Sequence, residues 1–134
     1  MNSAAATAIY SLLFLLAAWS LGWMLHAGVK LYHSKKRDYY YLTHIVWALV
    51  NIAIAVFGFI SVKSNLIDDN FASMQRNIIA FNVLLDIGYI LLAKRMRKSS
   101  RKNIVGAGKA VMMQGAFLLV LDSAFATILT LILL

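Results

Sequence analysis

The stretch NIIAFNVLLDIGYILLA, residues 77–93, is apolar enough to cross a bilayer, yet it carries Asp86. A second apolar run, residues 110–134, repeats the pattern around Asp122, and no Lys or Arg lies within seven residues of either aspartate. An unpaired carboxylate at bilayer depth costs about 3 kcal/mol on insertion scales, so such a residue faces a bundle interior and marks a functional site by default. The chain therefore reads as a membrane protein with polar groups inside it.

Working outward, residues 5–29 and 40–62 complete a set of four segments, each near the ~20 apolar residues a spanning helix needs. With 62% hydrophobic and 13% charged residues in 134, the composition lies far from that of a soluble fold. The expectation is an all-α, integral membrane four-helix bundle forming a single domain over residues 1–134. The first segment has no Lys or Arg before it and is too long for a signal-peptide core, so it reads as a retained helix, with the mature chain starting near Met1. With no Cys, Pro or Glu present, disulfides, thiolate metal sites and cysteine nucleophiles are excluded.

The net charge of +8 does not point to nucleic acid, because the basic residues sit in short loops beside apolar segments. The first loop holds Lys30, Lys35, Lys36 and Arg37, and the third holds Lys94, Arg95, Arg97, Lys98, Arg101, Lys102 and Lys109; only Lys63 and Arg76 flank the second. The positive-inside rule places loops one and three in the cytoplasm and both termini on the outer, periplasmic side. Tyr39, Tyr40 and Tyr41 read as an interfacial aromatic belt at the start of the second helix.

Helical spacing puts Trp19, Gly22, Trp23 and His26 on one stripe of the first helix, and His44, Trp47 and Asn51 on one stripe of the second. Asn82, Asp86 and Tyr89 share a face of the third, and Gln114 and Asp122 nearly share one on the fourth. Counting about 1.5 Å per residue inward from the cytoplasmic ends, His26, His44, Tyr89 and Gln114 lie about 5–8 Å deep, Asp86 about 10 Å, Asn51 and Asn82 about 16 Å, and Asp122 about 19 Å. This predicts a polar intramembrane pocket open to the cytoplasmic leaflet. Asp86, His44 and His26 are its candidate acid–base residues. Asn51, Asn82, Tyr89, Gln114, Asp122 and Trp47 are candidate substrate-binding residues, with Asp86, Asn82 and Asn51 expected to converge. Asp122, near mid-membrane, is expected to be a neutral, structural acid, and Asp86 the functional one. Against this stand plainer roles: interhelical glue for the amides, interface anchors for the histidines, packing for the tryptophans. Lys94, Arg95 and Arg97 are placed to hold a lipid phosphate over the mouth, since such basic clusters attract anionic lipid at about 1 kcal/mol per charge. No ligand spacing matches a metal motif, and no cofactor is assigned.

The strings WALVN (47–51), NVLLDIGY (82–89) and GKAVMMQGAFLLVLD (108–122) resemble the signatures of a small bacterial four-helix membrane family of unknown function. More distantly, the arrangement is similar to the lipocone-type membrane proteins, among them VanZ-like proteins and phosphatidylserine synthases. That resemblance implies a bacterial inner (plasma) membrane, membrane lipids as partners, and a lipid-related activity. Two other readings stay open: a small dimeric transporter, although the first helix lacks an acid, and a structural or accessory subunit, either of which admits a homo-oligomer.

The topology is directly testable because any introduced cysteine is unique. In intact cells a membrane-impermeant maleimide is expected to label Asn2→Cys and to spare Ser99→Cys. Labelling of Ser99→Cys would reverse the assignment.

Overall fold

Four helices account for nearly the whole chain in the computed structural model, which describes residues 2–34 and 38–134. They are α1 (Ser3–His33), α2 (Tyr39–Ser64), α3 (Asp69–Met96) and α4 (Lys102–Leu133). All four are long and apolar enough to cross a membrane. Lys35, Lys36 and Arg37, counted above toward the first loop, lie outside the described residues, as does Met1.

Each helix runs beyond the apolar span read from sequence, and local chemistry explains where it starts. Asn2, Asp38 and Asp68 cap α1, α2 and α3, their side chains accepting from the backbone N–H groups of Ala5, Tyr40 and Phe71. The polar first turns of α3 thereby become helical from Asp69, although apolarity alone marks the segment only from residue 77. At one end of the bundle the Asn2 N–H donates to the Ile67 carbonyl, and Asn2 Nδ2 donates to Asp69 Oδ1. That contact ties the start of α1 to the turn between α2 and α3. The opposite end gathers Lys30, Lys94, Arg95, Arg97, Lys98, Arg101, Lys102 and Lys109, whereas the tied end has only Lys63 and Arg76 among the described residues.

Many large apolar side chains face outward, and alanines fill much of the interior beside a core of leucines, contrary to the habit of a soluble bundle. Leu25, Phe57 and Val120 are each over 70% exposed. The fully covered positions include Ala5, Ala27, Ala48, Ala55, Ala72, Ala93 and Ala110. Lipid tails are as apolar as leucine, so close backbone approach over small residues, and not burial of bulk, is what brings such helices together.

The α3–α4 pair shows this most clearly. The buried residues of α3 are Ala72, Ile79, Asp86 and Ala93, spaced by seven, and Gly108, Gly115, Asp122 and Leu129 repeat that spacing among the buried residues of α4. A seven-residue period is the signature of a left-handed antiparallel seam. The seam is close: a Cβ on Gly108 would sit 2.8 Å from Met96 Cβ and 3.1 Å from the Arg97 nitrogen, and one on Gly115 would sit 3.3 Å from Ile90 Cγ1. A second α4 stripe, Val111, Gln114, Leu118, Leu121 and Phe125, is also buried, and its apolar members share a core with Leu12, Leu13 and Leu16 of α1. Thus α4 packs against all three other helices, while α2 and α3 stand on opposite sides of it without direct backbone packing.

Two glycines on different helices separate crowding from propensity. Gly108→Ala is expected to destabilise the purified protein by about 1–3 kcal/mol through overpacking at the seam. Gly22, with nothing within 4 Å of the position a Cβ would take, is expected to tolerate alanine or gain up to about 1 kcal/mol of helix propensity. Thermal unfolding in detergent compares the two; equal melting points would remove the seam from the argument.

Candidate functional site

The buried polar residues are Ser20, His44, Asn51, Asp86, Gln114 and Asp122. Every one of them except Ser20 was singled out by sequence spacing. Ser20 satisfies itself, its hydroxyl donating to the Leu16 carbonyl at 2.7 Å. The rest form two groups.

The first group centres on Gln114. Its Oε1 accepts from Trp19 Nε1 at 2.9 Å, and its Nε2 lies 2.7 Å from His44 Nδ1. Indole nitrogen only donates, so the carbonyl end of the amide must face Trp19 and the NH2 end must face His44. His44 Nδ1 therefore accepts, which places the imidazole proton on Nε2. Trp23 lies flat on the His44 ring, with centroids 3.6 Å apart and planes 5° from parallel, and Tyr40 meets it edge-on at 4.7 Å. Phe117 stacks on Trp19 at 3.9 Å. His44 is fully covered, and its Nε2 has no hydrogen-bond partner among the described residues.

The second group is the aspartate pair. Asp86 of α3 and Asp122 of α4 meet carboxyl to carboxyl, in position to share a hydrogen bond. Depth counted from the apolar spans set them about 9 Å apart and gave them separate roles. The seam brings the two side chains together instead: Gly108 packs against Ala93, Met96 and Arg97, and Gly115 against Asp86, Tyr89 and Ile90, a register that sets Asp122 within reach of Asp86. A hydrogen bond between two carboxyls requires that one of them carry the proton, so the two act as one unit. Asp86 is 2% exposed, and among the described residues its Oδ2 receives no donor from any other group.

Asn51 is 3% exposed, and its Nδ2 also has no hydrogen-bond partner among the described residues. Trp47, one turn before it, touches Tyr89 of α3 edge to face with centroids 4.9 Å apart. Asn51 and Asp86 thus lie at about the same level along the bundle, just past that contact, on two helices whose backbones do not pack directly. Asn82 is only partly buried, and no hydrogen bond joins it to Asp86 or Asn51 among the described residues. His26 is exposed on α1, its ring 5.6 Å from Trp23 and 6.0 Å from Tyr41. The acid–base trio consequently divides between two layers. His26 and His44 share the aromatic cluster, while Asp86 lies level with Asn51, seven residues and so about 10 Å further along the bundle.

Several grooves mark the surface of the described residues, and the best formed of them are not lined by Asn51, Asn82, Asp86 or Asp122. The most polar, about 610 Å³, lies at the basic end between Asp38, Tyr40 and Tyr41 of α2, Arg97 at the end of α3, and Gly106, Lys109, Met112 and Met113 of α4. Lys94, Arg97 and Lys98 line an adjoining groove of about 350 Å³. Arg95 lines neither, since successive helical residues point 100° apart while 94, 97 and 98 share a face. Tyr40 does not lie in a lipid-facing belt with Tyr39; it closes the larger groove and packs on His44. Spacing along one helix gave no sign of this groove, because its walls come from three elements. The seven-residue repeat of small residues and aspartates is visible in the sequence, but it marks a seam on each helix without saying that Asp86 meets Asp122.

Residues 15–123 match the family of unknown function DUF6992, and the chain belongs to that family. The matched stretch includes every member of both polar groups. No curated protein and no solved structure matches the chain.

Removing the Gln114 amide leaves Trp19 and His44 unpaired together. Gln114→Leu is expected to cost about 1–2 kcal/mol, near the upper end for interhelical hydrogen bonds in membranes, and to shift tryptophan emission because Trp19 loses its acceptor. Melting and fluorescence of the detergent-purified variant check both; an unchanged emission maximum would mean that the indole bond does not form.

Proposed function

We propose that this DUF6992 protein is a multi-pass protein of a bacterial inner membrane, with both termini outward, that holds the phosphate of an anionic lipid head group at the basic end of its bundle. The observation that carries this reading is the groove of about 610 Å³ in which Arg97 and Lys109 stand opposite Tyr40 and Tyr41. Guanidinium offers a planar fork of donors suited to two phosphate oxygens, and the lysine ammonium adds a point charge. Tyrosine rings suit the head-group level, where one edge is wet and the other apolar. Met112 and Met113 supply an apolar floor on which the glycerol and first methylenes can rest.

Asp38 also borders the groove, but its carboxylate accepts from the Tyr40 N–H at 2.9 Å and is engaged in capping α2. Lys94 and Lys98 extend the positive surface beside Arg97. The resemblance to lipid-handling lipocone proteins points the same way. Through Tyr40 the groove backs onto the Trp23–His44–Gln114 cluster, so head-group occupancy and interior packing share a side chain.

A structural or accessory subunit is the second reading. It draws on the Gln114 amide, which makes both of its bonds within the chain. The two readings differ in lipid preference. With protein in detergent, short-chain phosphatidylglycerol is expected to raise the melting temperature more than phosphatidylcholine does. Arg97→Ala and Lys109→Ala are each expected to weaken that effect about fivefold, as loss of about 1 kcal/mol per charge requires. Arg95→Ala, outside the groove, is expected to keep it. Equal stabilisation by both lipids favours the subunit.

A further inference from the structure

We propose that the lipid head group held in the groove at the basic end carries a primary ammonium beside its phosphate, and that Asp38 takes the ammonium. The inference rests on the lipid reading of the same groove and narrows its ligand to an aminophospholipid.

Close helix contacts set the walls of the groove. Gly106 of α4 lies against the start of α2, where a Cβ would sit 3.5 Å from the Tyr40 nitrogen, the same N–H that Asp38 caps. Lys109 follows Gly106 by three residues and so stands on nearly the same face of α4. Gly108 draws the end of α3 to that helix, a Cβ there sitting 3.1 Å from the Arg97 nitrogen. One groove is thereby lined by two cations, Arg97 and Lys109, and by one carboxylate, Asp38.

Capping does not use up that carboxylate. Asp38 Oδ1 accepts from the Tyr40 N–H at 2.9 Å; among the described residues Oδ2 has no hydrogen bond, and neither Arg97 nor Lys109 pairs with it. A carboxylate has about four acceptor sites, and the cap fills one. Nor does the cap require a charge, since Asn caps a helix about as well as Asp. A ligand bearing phosphate alone would satisfy the two cations and set a second negative charge beside Asp38, a juxtaposition that disfavours binding. A ligand that also bears an ammonium gives the carboxylate a partner. A primary ammonium suits the place on two counts. Its three N–H donors can serve Oδ2, and the Tyr40 and Tyr41 rings in the same wall attract cations and not phosphate. A quaternary ammonium has no N–H to give and keeps its charge behind methyl groups, so it forgoes the bond to Asp38.

The experiment titrates the full chain in detergent with four short-chain lipids in two pairs of equal net charge, reading apparent affinity from the rise in melting temperature. Phosphatidylserine is set against phosphatidylglycerol, and phosphatidylethanolamine against phosphatidylcholine. Within each pair the first lipid is expected to bind about threefold to fivefold more tightly, the strength of a partly exposed ion pair. Asp38→Asn keeps the cap and is expected to erase both differences. Should that variant fail to fold, the two pairs measured on the parent decide the matter. Equal binding within either pair by the parent, or differences that persist in Asp38→Asn, overturns the inference. If phosphatidylglycerol still exceeds phosphatidylcholine, the phosphate reading survives that failure; if all four lipids bind alike, it falls as well. Free phosphoethanolamine, which lacks the glycerol and acyl chains, is expected to stabilise far less than phosphatidylethanolamine. Equal stabilisation would make the ligand a soluble phosphoamine and overturn the lipid assignment.

Discussion

A single carboxamide holds three helices to one another. Gln114 accepts from Trp19 on α1 and presents its NH2 to His44 on α2, and because indole can only donate, neither end of the amide can be exchanged. The His44 tautomer follows from that, as does the orientation of its ring between Trp23 and Tyr40. An interior leucine at position 114 would fill the space without selecting a register. Hydrogen-bonded polar groups in an apolar bundle select one, since any slip leaves donors and acceptors unpaired.

The fourth helix joins this polar lock to a steric one. One of its stripes carries Gln114 toward α1 and α2, and the other carries Gly108, Gly115 and Asp122 toward α3. Glycine at the two contacts lets the backbones close to a distance at which two short aspartate side chains meet. Seam and carboxyl pair are therefore one feature: the pair exists because the glycines permit it, and the register that the glycines allow is the one in which the carboxyls can share a proton. Buried polar positions of this kind act as register devices in coiled coils, generally at some expense of stability.

Chemistry is segregated along the bundle axis. At the basic end, charge, tyrosines and an open groove gather together. Deeper in, the Gln114 amide is paired at both ends while His44 Nε2 has no hydrogen-bond partner among the described residues, and beyond it Asn51 Nδ2 is likewise unpaired. The two layers sit about 10 Å apart, the separation of His44 from Asn51 along α2.

The sequence by itself determined the four spans, the unequal charge of the two ends, and most of the polar residues that turn inward: His44, Asn51, Asp86, Gln114 and Asp122 are buried as their helical stripes predict, whereas His26 on the α1 stripe is exposed and Asn82 is only partly buried. These are local quantities, set by transfer free energy residue by residue and by a period of 3.6 within one helix. Only the tertiary structure decided which of those residues meet. That Asp86 finds Asp122, that Gln114 reaches both Trp19 and His44, and that Arg97, Lys109 and Tyr40 border one groove all depend on the register between helices. Register comes from the closeness of Gly108 and Gly115 to α3, from caps that start helices before their apolar spans, and from a turn of a few residues before Lys102. A shift of one residue leaves every single-helix pattern intact and moves each partner by 100° and 1.5 Å, which is why pairing was beyond the reach of periodicity.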